Sequence, residues 1–251
     1  MEPSEYERIY QAETQHWWYL GMEAITRAIL NRYIDPSTGL KILDAGCGTG
    51  AAMLTYLADY GAVAGFDISP LALKFCRARN LTPLALASVM EIPFQSDNFD
   101  LLTSFDVLYE RNVTLDVAAL AEFFRVLRPG GLLLLRLPAY NWLRGQHDRS
   151  IHTARRYTSA QVAQLLTGSG FCPLHITYAN TFLFPLAVAK RLLEHLWPPA
   201  PDSSDLSVDV GIFNGLFKQI LSSEAPLAAR RRLPFGLSVI ALGQKPKNSC
   251  V

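Results

Sequence analysis

The chain has 251 residues, 50% of them hydrophobic and 18% charged, with a formal net charge of +1. That is material for one large core with insertions rather than a disordered chain, and the charge supplies no strong positive field for non-specific nucleic-acid binding. Cys47, Cys76, Cys172 and Cys250 form no C-x-x-C pair, which indicates neither a metal site nor a disulfide framework.

The polar, acidic start MEPSEYERIYQAETQ lacks the basic-then-apolar order of a signal peptide, so a cytoplasmic location is expected. Roughly Glu5 to Tyr33 is helical in period and dense in aromatics, and Pro36 and Gly39 punctuate it. LKILDAG (Leu40 to Gly46) reads as a strand ending in a glycine turn, followed by a helix over Ala51 to Tyr60. Further strands are expected at Ala62 to Ile68, Thr82 to Ser88, Phe99 to Val107 and Gly131 to Pro138. Helices are expected from Pro70 to Arg79 and over Leu115 to Leu127. Thr158 is placed to cap a helix running to Ser169, with Gly170 just past its end. Cys172 to Ala179 and Gly236 to Lys245 are the last two strands. Thr181 to Trp197 is apolar at first, but Pro185, Lys190, Arg191 and Glu194 interrupt it, short of the ~20 apolar residues that span a bilayer. It reads as an amphipathic helix packed on the protein, or resting on a hydrophobic substrate or membrane surface.

Short apolar strands alternating with helices predict a mostly parallel sheet covered on both faces, with ligands bound beyond the carboxyl ends of the strands. At that end lies ILDAGCGTG, Ile42 to Gly50. Gly46, Gly48 and Gly50 let the backbone approach a ligand closely, because no Cβ intrudes. The spacing is neither the dinucleotide fingerprint nor a Walker loop. Asp67 ends the second strand, where a carboxylate takes both ribose hydroxyls. Asp44, before the loop, suits a cationic ligand head. Together these favour adenosine joined to a sulfonium amino acid over a pyrophosphate cofactor.

These segments resemble the class I, Rossmann-like methyltransferases that use S-adenosylmethionine (SAM): ILDAGCGTG, GFDIS (Gly65 to Ser69), IPFQSDNFDLL (Ile92 to Leu102) and FRVLRPGGLLLL (Phe124 to Leu135). The resemblance covers about Lys41 to Pro138. It implies an α/β fold with a seven-stranded sheet whose last strand is antiparallel, and helices on both faces. A helical cap over residues 1–36 and a catalytic domain over 37–251 are expected, with a substrate-side insertion at about 181–234 before the last strand. It further implies that Asp67 binds the ribose hydroxyls, that Asp44 and Gly46 lie against the methionine moiety, and that Ala45, Gly48, Gly50, Ile68 and Phe105 also belong to the cofactor site. Val89 would offer its N–H to adenine beside Met90. Relatives usually carry an acid at the position of Ser88, which weakens that one contact.

Leu137 to Phe171 resembles a subgroup of these enzymes in Pro138-Ala139, His147-Asp148, His152 and Arg155-Arg156-Tyr157. HWWY (His16 to Tyr19) and Leu183 to Pro185 fit the same subgroup. Methyl transfer is governed by positioning and water exclusion, and a base matters when the acceptor must lose a proton. His147 and His152 are candidate bases oriented by Asp148, or loop ties. Glu110, just after the fourth strand, is a candidate base or hydrogen-bond acceptor. Asp106 is a structural or cofactor-side acid. Arg155 and Arg156 read as ties, with phosphate or carboxylate recognition as the alternative. Trp17, Trp18 and Tyr19 read as core or helix-packing residues or, with Tyr109 and Tyr157, as walls of the acceptor pocket, which Phe182, Phe184, Phe213 and Phe217 would extend.

The expected function is therefore SAM-dependent methylation of a small, hydrophobic or aromatic metabolite. The expected enzyme is a monomer or homodimer without metal, nucleic acid or integral membrane segment, and peripheral membrane contact is left open. The alternatives are a protein or RNA methyltransferase and a non-catalytic SAM-binding subunit. FDVLYE carries no N/D-P-P-Y motif, against the first. The intact loop and Asp67 speak against the second.

Overall fold

The computed structural model describes residues 3–145, 153–196, 211 and 213–247. Two helices open the chain, α1 (Pro3–Ala12) and α2 (Trp17–Tyr33), where the sequence reads as one helical stretch. The break has a local cause. His16 adopts an extended conformation and its Nδ1 accepts the Trp18 N–H at 3.3 Å, a cap that starts a new helix.

The remaining elements are β1 (Leu40–Ala45), α3 (Ala51–Thr55), β2 (Gly61–Asp67), α4 (Pro70–Ala78), β3 (Leu84–Leu86) and β4 (Phe99–Phe105). Then come α5 (Asp116–Val126), β5 (Leu127–Pro138), α6 (Ser159–Gly168) and β6 (Cys172–Ala179). The chain closes with α7 (Phe184–Leu196), α8 (Phe213–Ser223), α9 (Ala225–Arg230) and β7 (Ser238–Gln244). Thr158 caps α6 as expected, in a reciprocal capping box with Gln161. The helix expected over Ala51 to Tyr60 is shorter, because the chain tightens to a 3-10 turn at Leu57–Asp59.

The sheet has seven strands in the order β3-β2-β1-β4-β5-β7-β6. All neighbours are parallel except β7, which runs antiparallel to both β5 and β6. This is the Rossmann-like methyltransferase fold that the motifs imply. The order reverses between β1 and β4, the switch point beyond whose carboxyl ends sheets of this kind bind ligands.

Alternation along the strands feeds two cores. Leu43, Phe66, Leu102, Leu133 and Leu135 pack under α5 and α6 with Phe123 and Val162. Ile42, Leu101, Leu132 and Leu134 pack on the opposite face under α2. That second core also holds Met22, Ile25, Ile29 and Leu30 of α2, with Leu221 of α8 and Ala228 of α9. The expected boundary at residue 36 is therefore not a boundary between cores: α2 is a layer of the fold itself. The insertion helices α8 and α9 pack on α2, and α9 also reaches β6, where the Ala228 carbonyl lies 2.6 Å from His175 Nε2. The helix α7 turns Leu186, Leu192 and Leu193 outward. No helix among the described residues is long and apolar enough to cross a membrane.

Candidate active site

The glycine loop leaves β1 under tight constraint. Gly46 has φ +76°, and a Cβ there would lie 2.4 Å from Cγ2 of Val107. Only glycine fits that turn without displacing the chain after β4. At Gly48, also in the left-handed region, a Cβ would meet nothing within 4 Å. The backbone of Gly48 therefore faces open space, which a ligand could approach to contact distance.

Asp67 ends β2 beside this loop, almost buried. Its Oδ2 accepts the Gly48 N–H at 2.9 Å and its Oδ1 accepts the Ser69 N–H at 2.8 Å. Two backbone donors fix the carboxylate and leave lone pairs directed outward. Burial raises its pKa above the usual carboxylate value, and the N–H groups of Ser69, Gly48 and Ile68 oppose that rise. Ile68, the next residue, is 50% exposed, which is unusual for isoleucine at a strand end and suited to one face of a planar ring. Val89 is buried and Met90 half-buried against the adjoining core. Ser88 accepts the Met90 N–H at 3.2 Å, so its hydroxyl oxygen braces the turn.

Asp44, fully enclosed at the end of β1, accepts the Thr103 hydroxyl at 2.7 Å. Desolvation pushes its pKa up to about 6, against the opposing pulls of Thr103 and Arg136. The Ala45 side chain points into the sheet core, so only its backbone borders the cleft. Phe105, at the end of β4, lies half-buried with its ring 6.5 Å from Tyr56.

Glu110 stands in the loop after β4, half-buried, and burial pushes its carboxyl up to about 7. Tyr109 is buried in the sheet core, and its carbonyl accepts the Ala154 N–H. Tyr157 is also buried. Its hydroxyl donates to Asp116 at 2.9 Å and lies 3.2 Å from the Leu108 carbonyl. The geometry thus uses Tyr157 to tie the loop after β5 to α5. Arg155 joins the same tie, paired with Asp116 at 2.6 Å and donating to the Val113 carbonyl. Arg156 donates to the Ala139 carbonyl at 3.0 Å. These residues border a solvent-open cleft of about 470 Å³ between α5 and α6 that shares no residue with the glycine loop. His147, Asp148 and His152 lie outside the described residues.

The three N-terminal aromatics separate. The Trp17 N–H donates to Asn214 at 2.8 Å and its ring packs 5.6 Å from Phe217, so it faces α8. Trp18 faces the strand ends, with the Arg136 guanidinium 4.9 Å from its ring centre. Tyr19 meets Trp18 edge-on at 4.9 Å, and burial raises its pKa.

Three residues that the sequence reading did not single out complete the cleft. Glu13 accepts the Thr49 hydroxyl at 2.5 Å and pairs with Arg79 at 2.5 Å, both side chains nearly buried. Arg79 also donates to the carbonyls of Thr49 and Tyr10 and lies 4.3 Å from the Tyr10 ring centre. The segment after α1 is thereby latched onto the glycine loop. Tyr6 of α1 lies near Ser69 and close enough to Asp67 and Glu110 to feel both charges; its pKa, raised chiefly by burial, reaches about 12. Only the spacing of Tyr6 and Glu13 on one helical stretch hinted at this. Their partners lie 36 or more residues away in sequence.

Residues 43–135 match the family model described as a methyltransferase domain. A demethylmenaquinone methyltransferase of Corynebacterium kroppenstedtii is 34% identical over 114 residues, 45% of this chain and 48% of its own length. The ubiquinone/menaquinone biosynthesis C-methyltransferase UbiE of Roseobacter denitrificans is 32% identical over 126 residues, 46% of this chain and 49% of that protein. The chain spans about half the length of the curated relatives it matches. Among solved structures, a SAM-dependent methyltransferase from Methanosarcina mazei aligns with a TM-score of 0.57 at 16% identity, covering 88% of this chain and 98% of that one. The geranyl diphosphate C-methyltransferase of Streptomyces coelicolor A3(2) aligns at 0.56 with 14% identity, covering 89% and 78%. The [4+2]-cyclase SpnF aligns at 0.56 with 20% identity, covering 89% and 80%. At these identities the structural likeness shows the fold alone.

Proposed function

We infer that the protein is a SAM-dependent methyltransferase acting on a small, largely apolar acceptor. The observation that carries this reading is Asp67, held by the Gly48 and Ser69 N–H groups at the rim of an open glycine turn. That is a receptor for a ribose diol with room for the rest of the cofactor beside it. The match of residues 43–135 to a methyltransferase domain supports the same reading, as do the relatives' names.

When bound, SAM supplies an electrophilic methyl group on a sulfonium that leaves readily. The chain's own residues do the rest. Asp67 would orient the ribose, Ile68 would cover one face of the adenine, Val89 would offer it a backbone N–H beside Ser88 and Met90, and Gly48 would admit the chain near the sulfur. Asp44 offers a carboxylate to the cationic amino-acid end. Tyr6 and the Glu13 latch close α1 over the cleft and exclude water, which sharpens positioning.

Glu110, with a pKa of about 7, is suited to take a proton from an acceptor near neutral pH. His147 and His152, by their place after β5 in the sequence, remain candidate bases. Trp18 and Tyr19 supply apolar walls. The reading further takes the enzyme as cytoplasmic, acting as a monomer or homodimer without nucleic acid. The outward apolar face of α7 supports peripheral contact with a lipid or apolar phase.

Calorimetry with SAM and S-adenosylhomocysteine tests the shared step, and absence of binding by both overturns the reading. Turnover of SAM with a panel of phenolic and quinol acceptors then tests catalysis. Glu110→Gln is expected to lower kcat roughly 100-fold with binding retained; unchanged turnover removes Glu110 as base.

A further inference from the structure

The strand β5 alternates strictly, with Leu133, Leu135 and Leu137 in one core and Leu132 and Leu134 in the other. Arg136 occupies the next place in the second row, where alternation calls for an apolar side chain. A guanidinium there is costly unless something needs it. Its Nε donates to Asp106 at 2.7 Å, its side chain is only 12% exposed, and its centre lies 4.9 Å from the rings of both Trp18 and Phe105. The fork is thus held between two aromatic rings and anchored along its Nε edge. Among the described residues, Asp106 is its one hydrogen-bonded partner, although a guanidinium carries five donors.

Register shows what that fork faces. Asp44 pairs with Thr103, Thr103 with Leu134, and Phe105 with Arg136. Arg136 therefore sits on the same sheet face as Asp44, one alternation nearer the carboxyl rim. The two feel each other's charge. Around Tyr19 the field comes from Glu13, Asp106 and Glu5 against Arg136. Several acids and one oriented cation on this side of the sheet make a receptor for a zwitterion. The N-terminus of α2, which carries Trp18 over the fork, adds positive potential on the same side.

We propose that Arg136, held by Asp106, Trp18 and Phe105, binds the amino-acid carboxylate of the S-adenosyl cofactor, while Asp44 faces its ammonium group. This rests on the methyltransferase reading and names a residue outside its glycine-loop motif. Arg136 is the binding residue, and Asp106 positions it.

The test compares three probes by calorimetry on the full chain and its Arg136→Gln and Arg136→Lys variants. The probes are SAM, decarboxylated SAM, which keeps the ammonium but lacks the carboxylate, and methylthioadenosine, which lacks the amino acid altogether. In R136Q the Kd for SAM is expected to rise roughly 10- to 100-fold, with the other two Kd values within about twofold of wild type. R136K is expected to fall between, because an ammonium cannot offer the fork. Equal weakening of all three probes would mean that Arg136 only props the pocket, and unchanged SAM binding would remove it from the site; either overturns the inference. If the wild-type chain binds methylthioadenosine but not SAM, the carboxylate slot is wrong while the adenosine site stands. If it binds none of the three, the methyltransferase reading itself fails, and the inference with it.

Discussion

At the scale of single residues the cleft is an electrostatic arrangement tuned by burial. Asp44 and Glu110 are both raised by desolvation, to about 6 and about 7, and so change charge close to neutrality. The sign of the consequence follows for Asp44. Below its raised pKa it is protonated and offers nothing to an ammonium or sulfonium; above it the carboxylate is present. Affinity for SAM is therefore expected to fall about tenfold between pH 7 and pH 5, and Asp44→Asn should bind weakly with a flat profile. A profile unchanged in that variant would assign the titration to another group. Tyr6→Phe removes the hydroxyl beside Ser69 and leaves the ring. Stopped-flow release of S-adenosylhomocysteine should then be about fivefold faster, the equivalent of ~1 kcal/mol for one polar contact. Asp67, the glycines and Glu110 could be picked out as candidates from the sequence because each is marked by its position after a strand. Tyr6, Glu13 and Arg136 were not, since each acts through a partner far off in the chain.

At the scale of elements, α1 is small and depends on a few polar contacts. The ion pair of Glu13 and Arg79 is nearly buried, and removing one partner of such a pair costs ~3–5 kcal/mol. In α1 that cost exceeds what local packing returns, so the helix is expected to detach while the sheet persists. Glu13→Gln should speed amide exchange through residues 3–16 and leave β1 and β4 unchanged in the same hydrogen-exchange experiment. Uniform acceleration across all elements would show that the latch belongs to global stability instead. The expected single N-terminal helix differs from the observed pair because amphipathic period runs through residues 13–16, whereas the His16 cap and the Glu13 contacts interrupt the backbone there. Periodicity reports a face; it does not report a cap whose partners are tertiary.

At the scale of the whole molecule, the helices α8 and α9 of the insertion before β7 form one layer with α2. Gly21 of α2 marks the contact: a Cβ there would lie 2.5 Å from the Leu221 side chain of α8. Gly21→Val should cost ~1–3 kcal/mol by overpacking and lower Tm by several degrees, read by calorimetry. No change in Tm would separate the insertion from the core. The order β1, glycine loop, Asp67, β4 and β5, and the antiparallel final strand, were determined by the sequence itself. Strand burial writes apolar runs, and a ligand that meets backbone needs glycine where no Cβ fits. Only the tertiary structure decided that α2 is a core layer rather than a separate cap, and that Tyr157 and Arg155 tie the loop after β5 to Asp116. It alone set Tyr6 over Asp67 and Arg136 between Trp18 and Phe105. The physical reason is the same in each case. Local pattern records which face a residue turns inward, but hydrogen bonds and charge pairs across the fold depend on which distant residue arrives there.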